Sequence, residues 1–85
     1  MAYLFAEQRA NFAEKVIDAI GIDDDFIKET FKKEFISVQE MNLGNYEIDK
    51  ICDWIRSGHS SEARNFVKDN LRKPKEIYNF LKSKI

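Results

Sequence analysis

The chain has 85 residues, of which 44% are hydrophobic and 34% charged, and its formal net charge at pH 7 is −1. Seven Phe, three Tyr and one Trp supply enough large side chains for one domain, residues 1–85, with a hydrophobic core that needs no cross-links. The single cysteine, Cys52, excludes an intramolecular disulfide and a thiolate metal cluster.

No membrane or export segment is expected. The N-terminal sequence lacks a basic region ahead of an apolar run, and no apolar run approaches the about 20 residues that a membrane-spanning helix needs. The sequence therefore predicts a soluble, cytoplasmic protein with no membrane partner.

Residues 3–20 are predicted to form the first helix. Apolar side chains recur on one face at helical spacing: Phe5, Phe12, Val16, Ala19 and Ile20. Gly21 is placed to end this helix in a left-handed conformation.

Three acids in a row follow at residues 23–25. A calcium loop alternates its ligands with spacer residues and needs a further acid downstream, so the run does not fit a cation site. It fits a helix N-cap followed by acids that favour the positive end of the helix dipole.

The second helix is predicted over residues 24–42. Its expected apolar face is wide: Phe26, Ile27, Phe31, Phe35, Val38 and Met41. A strand over residues 34–41 is the alternative, but its alternation of apolar and polar residues fails at Phe35 and Ile36. Helical spacing continues unbroken, so a helix is favoured.

Residues 45–72 are predicted to form two short amphipathic helices around a tight turn. Their apolar stripes are Ile48, Ile51, Cys52 and Ile55, then Ala63, Phe66, Val67 and Leu71. Asn45 and Ser60 are expected to cap the two helices, and Gly58 to adopt a left-handed conformation at the turn. This pattern suits a helix-turn-helix and equally a small helical bundle that turns a corner.

Pro74 suits the first position of a last helix, with Ile77, Phe80, Leu81 and Ile85 on one face. The predicted fold is therefore an all-α, compact single-domain bundle of about five helices, two longer and then three shorter.

Charge is distributed unevenly along the chain. Residues 1–55 carry twelve acids and six bases, whereas residues 56–85 carry three acids and eight bases. Such an asymmetry can mark an interaction surface, or follow from the preferences of helix ends.

Catalysis is not expected. Cys52 lies within an apolar stripe, where a thiol is usually inert, and His59 lies in a turn that is expected to face solvent. The sequence has no phosphate-binding glycine loop, nucleophile elbow or zinc-protease motif, and no cofactor or metal site is predicted.

Nucleic-acid binding through residues 61–75 is one functional hypothesis. Arg64 and Asn65 would lie near the start of a recognition helix, where such side chains suit guanine and adenine edges. Lys73 and Lys75 would touch phosphates. Glu62 and Asp69 on the same helix oppose this reading.

The favoured hypothesis is a non-enzymatic module that docks a larger protein partner, acting as a regulator, inhibitor or adaptor. Many phage-encoded host-takeover and anti-defence proteins share this size and class, which is an analogy only. Trp54 lies about 60° outside its stripe, so it is either an exposed interface residue or a widening of the core face. The expected partner-binding residues are Arg64, Asn65, Lys68, Arg72, Lys73, Lys75 and Trp54.

Overall fold

The computed structural model describes residues 6–38 and 44–85 and contains five α-helices. They are α1 (Ala6–Ile20), α2 (Asp25–Ser37), α3 (Asn45–Trp54), α4 (Ser60–Asp69) and α5 (Pro74–Lys82). No strand occurs within those two ranges. The all-α bundle with two longer and three shorter helices is thus confirmed, while the first predicted helical residues, 3–5, lie outside the described part.

Aromatic packing joins α1 to α2. Phe12 of α1 and both Phe31 and Phe35 of α2 are fully buried. The ring centroids of Phe12 and Phe35 are 5.2 Å apart, and those of Phe31 and Phe35 are 4.5 Å apart. Tilted ring pairs at such distances are favourable beyond the area that they bury.

The later helices add to the same core. Fully buried side chains come from α3, α4, α5 and the turn that links α3 to α4: Ile51, Ile55, Ala63, Val67, Ile77 and Leu81. Burial of one such large aliphatic side chain contributes about 1.5–3 kcal/mol. Short helices are marginally stable on their own, so burial of these apolar faces is the main source of their stability.

The predicted helix boundaries are confirmed where one residue restricts the backbone angles or caps the helix. Gly21 and Gly58 have positive φ angles of 80° and 102°, and Pro74 occupies the first turn of α5. The Asp24 carboxylate caps α2 by accepting hydrogen bonds from the backbone N–H groups of Phe26 (2.9 Å) and Ile27 (3.2 Å). These are the cap functions expected of such residues.

The second helix is shorter than predicted. It ends at Ser37, and Val38 is extended, with φ −88° and ψ 127°. The predicted continuation through Met41 to residue 42 lies outside the described residues. The strand alternative is wrong for residues 34–37, which are helical.

Phe26 does not lie on the core face of α2, and that prediction is wrong. Its side chain is 68% exposed. Phe26 and Phe31 are five residues apart, which places them about 140° apart around the helix axis. Ile27, Phe31 and Phe35 follow each other at four-residue intervals, so they form the narrower face that packs on α1.

Two predicted caps are also wrong. Asn45 and Ser60 are the first helical residues of α3 and α4, and the cap positions belong to Gly44 and His59, neither of which makes a side-chain cap hydrogen bond. The left-handed Gly58 already reverses the chain at the α3–α4 turn, so Ser60 enters α4 with helical angles of −62° and −37°.

Candidate functional site

Three cationic side chains lie close together where α4 leads into α5, and we call Lys68, Arg72 and Lys73 the basic surface. They line one shallow cleft together with Leu71. The Asn70 N–H donates to the carbonyls of Phe66 (3.0 Å) and Val67 (3.2 Å), and the Lys73 N–H donates to the Asn70 carbonyl (2.8 Å). These bonds end α4 and fold the connection tightly.

Arg72 therefore does not continue a stripe along α4. If α4 continued to residue 72, as the sequence predicts, then Arg64, Lys68 and Arg72 would form one stripe at four-residue intervals. That prediction is wrong because α4 ends at Asp69. The tight connection, rather than helical periodicity, brings Arg72 and Lys73 beside Lys68.

The basic surface is not neutralised by the fold. All three of its side chains belong to exposed residues, and none forms an ion pair with a described residue. Elsewhere lysines are paired with acids at 3.1–3.7 Å: Lys15 with Asp49, Lys32 with Glu14, Lys82 with Glu47, and Lys84 with Glu62.

Arg64 has a structural contact that its position in the sequence does not predict. Its Nη2 donates a 2.9 Å hydrogen bond to the Ile20 carbonyl in the last turn of α1. A cation that binds a helix C-terminal carbonyl satisfies an acceptor which the helix leaves open and complements the helix dipole. Gly21 signals that α1 ends there, but only the packing of α4 against α1 shows which residue reaches its carbonyls.

Asn65 and Lys75 are exposed near the basic surface. Asn65 lies on the side of α4 opposite the buried Ala63, two residues away and about 200° around the axis. Lys75 lies in the first turn of α5, two residues beyond Lys73.

Trp54 lies apart from these cations, in what we call the aromatic cluster: Trp54, His59, Phe66 and Phe80. The Trp54 and His59 rings stack at 4.8 Å with 7° between their planes, and the Trp54 and Phe80 rings form an edge-to-face pair with centroids 6.0 Å apart. Phe66 and Phe80 stack at 4.0 Å. Trp54 is partly buried against the core, so it widens the core face as well as reaching the surface.

The aromatic cluster and the basic surface lie on opposite flanks of α4. Glu62 lies on the flank of the aromatic cluster. Its carboxylate lies 3.6 Å from His59 Nδ1 and 3.5 Å from Lys84 Nζ, and Lys84 also lies over the Phe80 ring at 5.1 Å. Phe66 of the aromatic cluster and Lys68 of the basic surface are two residues apart, about 200° around α4. The predicted set of binding residues is therefore divided, with Trp54 on one flank and Lys68, Arg72 and Lys73 on the other.

Cys52 is 2% exposed, as predicted, and its burial raises the pKa of the thiol.

Within residues 6–38 and 44–85, no group of three or more His, Cys, Asp or Glu side chains could hold a metal ion. The clefts that touch Lys68 measure about 230 and 260 Å³, below the about 300–1,000 Å³ of typical small-ligand pockets.

No family model, curated protein or solved structure matches this chain. None of the helices in the described ranges is both long and apolar enough to cross a lipid bilayer.

Proposed function

We propose that the protein is a small, non-enzymatic interaction module that docks an acidic face of a larger protein partner onto its basic surface, acting as a regulator, inhibitor or adaptor. The observation that carries this proposal is that Lys68, Arg72 and Lys73 are exposed, adjacent and without an ion-pair partner among the described residues.

Unpaired cations on one side of a fold attract acidic surfaces over a distance of about 8 Å at physiological salt. They raise the association rate and discriminate among partners more than they add raw affinity. Leu71 is half-buried between the basic residues and offers an apolar contact at the same place. Asp69 belongs to the same cleft, so a partner with a uniformly acidic face would meet one repulsive contact, which favours selectivity.

A duplex nucleic acid is the alternative partner, and the position of Arg64 weakens that reading. A recognition helix needs free donors near its N-terminus to reach base edges. The Arg64 guanidinium is instead bound to the Ile20 carbonyl, and α4 also exposes Glu62 and Asp69. Lys68, Arg72 and Lys73 could contact phosphates, but they would supply charge without base readout.

The test compares two double variants with the same change in charge. Arg72→Glu/Lys73→Glu reverses the basic surface, whereas Lys33→Glu/Arg56→Glu reverses one arginine and one lysine that are exposed elsewhere and also lack ion pairs with described residues. Affinity capture from host lysate, with and without nuclease, is followed by measurement of the purified partner's affinity for each variant.

The proposal expects a nuclease-resistant protein partner that binds the control variant normally and the Arg72→Glu/Lys73→Glu variant at least about tenfold more weakly. Equal binding of both variants would contradict a role for the basic surface. Tight duplex binding by the purified protein at physiological salt, lost in a variant of the exposed Asn65, Asn65→Ala, would favour the nucleic-acid alternative.

A further inference from the structure

An acidic counterpart lies beside the basic surface. Asp23 and Asp24 precede α2 and Asp25 is its first residue; all three are exposed, and none forms an ion pair with a described residue. We call these three residues the acidic segment. Asp24 also caps α2, which fixes the segment on a helix end rather than on a free loop.

The acidic segment and the basic surface share one continuous face. A cleft is lined by Asp23 and Asp24 on one side and by Arg64 and Lys68 on the other, and Lys68 also borders the cleft that holds Arg72 and Lys73. The Arg64 hydrogen bond to the Ile20 carbonyl holds α4 against the end of α1. Opposite charges are therefore held side by side, yet no ion pair within 4.0 Å connects the two groups.

An exposed apolar side chain directly follows the acidic segment in the first turn of α2. Phe26 directly follows the acidic segment and is 68% exposed, and Ile27 lines the cleft with partial burial. An exposed Phe beside charged residues is a common feature of protein contact surfaces, because the apolar contact adds affinity while the charges set orientation.

We propose that this face binds a second copy of the chain about a two-fold axis. In an isologous contact each surface meets itself in reversed orientation, so a face with one acidic and one basic end pairs acid with base twice. The two Phe26 side chains add an apolar contact to that pairing. Because exposed ion pairs contribute little each, the dimer is weak and sensitive to salt.

This dimer goes beyond the proposed function and has a consequence for it. Lys68 lies within the contact, so self-association covers part of the basic surface, and a partner protein competes with the second copy. The dimer is also testable without the partner, which keeps the two proposals separate.

Sedimentation velocity of the full chain provides the test, from about 10 µM to about 1 mM protein and from about 20 mM to about 500 mM NaCl. The expected result is an average mass that rises above 10.0 kDa with concentration at low salt and returns to the monomer value at high salt. A monomer at every concentration and salt would overturn the dimer and leave the partner proposal standing.

Two charge-swapped variants locate the contact. Asp23→Lys/Asp25→Lys makes the face basic while keeping the Asp24 cap, and Lys68→Glu/Lys73→Glu makes it acidic. Each alone should be monomeric, and an equimolar mixture should restore a dimer that contains one copy of each. The Lys33→Glu/Arg56→Glu variant should dimerise like the unmodified chain, and circular dichroism verifies that every variant is folded.

A mixture of the two swapped variants that stays monomeric, under conditions where the unmodified chain dimerises, would place the dimer contact on another face and overturn the proposal.

Discussion

Cations on the two flanks of α4 differ in whether they are paired within the fold. On the flank of the aromatic cluster, Lys84 is paired with Glu62 and lies over the Phe80 ring. On the other flank, Lys68, Arg72 and Lys73 have no ion-pair partner among the described residues. A cation near a helix end can therefore be paired within the fold or stay unpaired at the surface, and its neighbours decide which.

The flank on which a cation lies does not by itself decide whether it has a partner within the fold, as Arg64 shows. It lies on the flank of the basic surface, yet its guanidinium is committed to the Ile20 carbonyl. Arg64 was predicted to bind a partner, but its guanidinium has a hydrogen-bond partner within the fold. Stability and binding measurements should separate these two classes of residue.

The largest effect is expected from Trp54→Ala, which removes the ring that contacts both His59 and Phe80. Trp54 is only partly buried, so we expect a loss of about 2–3 kcal/mol in the free energy of unfolding, below the about 3–5 kcal/mol of a fully buried aromatic. Urea denaturation measures it. A loss under about 0.5 kcal/mol would show that the aromatic cluster does not support the fold.

Arg64→Ala should destabilise the protein by about 1–2 kcal/mol, because the Ile20 carbonyl loses a charged hydrogen-bond donor. Lys68→Ala is the matched control, one helical turn further along α4, and should change the unfolding free energy by less than about 0.5 kcal/mol. Equal effects of the two substitutions would remove the distinction between a structural and an available cation.

Glu62→Gln should cost about 0.5 kcal/mol, since its carboxylate is shared by Lys84 and His59 on an exposed surface. Half a molar salt should reduce the difference from the unmodified chain, because the pairs are open to solvent. A cost that does not change with salt would indicate that packing, rather than charge, is lost.

Lys73→Ala is expected to leave stability within about 0.5 kcal/mol of the unmodified chain, because Lys73 makes no ion pair with a described residue. Its effect should appear in the association rate with the partner, measured by stopped-flow or surface plasmon resonance at several salt concentrations. A clear stability loss would place Lys73 with the structural cations instead.

The buried thiol of Cys52 should make the stability of the protein depend on pH. Burial raises the pKa of its thiol above the ordinary value of 9.0, so the unfolded chain loses this proton at lower pH than the folded one. The contribution to stability is present below pH 9.0 and declines as pH rises beyond it. Cys52→Ala should abolish that decline in urea titrations, and thiol labelling should require unfolding, as the sequence predicts.

The fold could be predicted to a large extent because the residues that define it act locally. Gly21, Gly58 and Pro74 restrict the backbone directly, and Asp24 caps α2 through N–H groups within three residues of itself. The error over Phe26 arose where an apolar residue follows helical spacing only approximately. Which side of α2 is buried depends on α1, through the contact of Phe12 with Phe35.

The candidate site was predictable in its residue types but not in its arrangement. The sequence by itself determined the order of the helices, most of their apolar faces and the excess of bases after residue 55, because periodicity and charge are properties of neighbouring residues. Only the tertiary structure decided that Arg64 binds a carbonyl 44 residues away, that Trp54 lies on the flank opposite Lys68, and that Asp23 shares a cleft with Lys68. Those contacts depend on how α4 packs between α1 and α5, and the spacing of residues along the chain does not encode that packing directly.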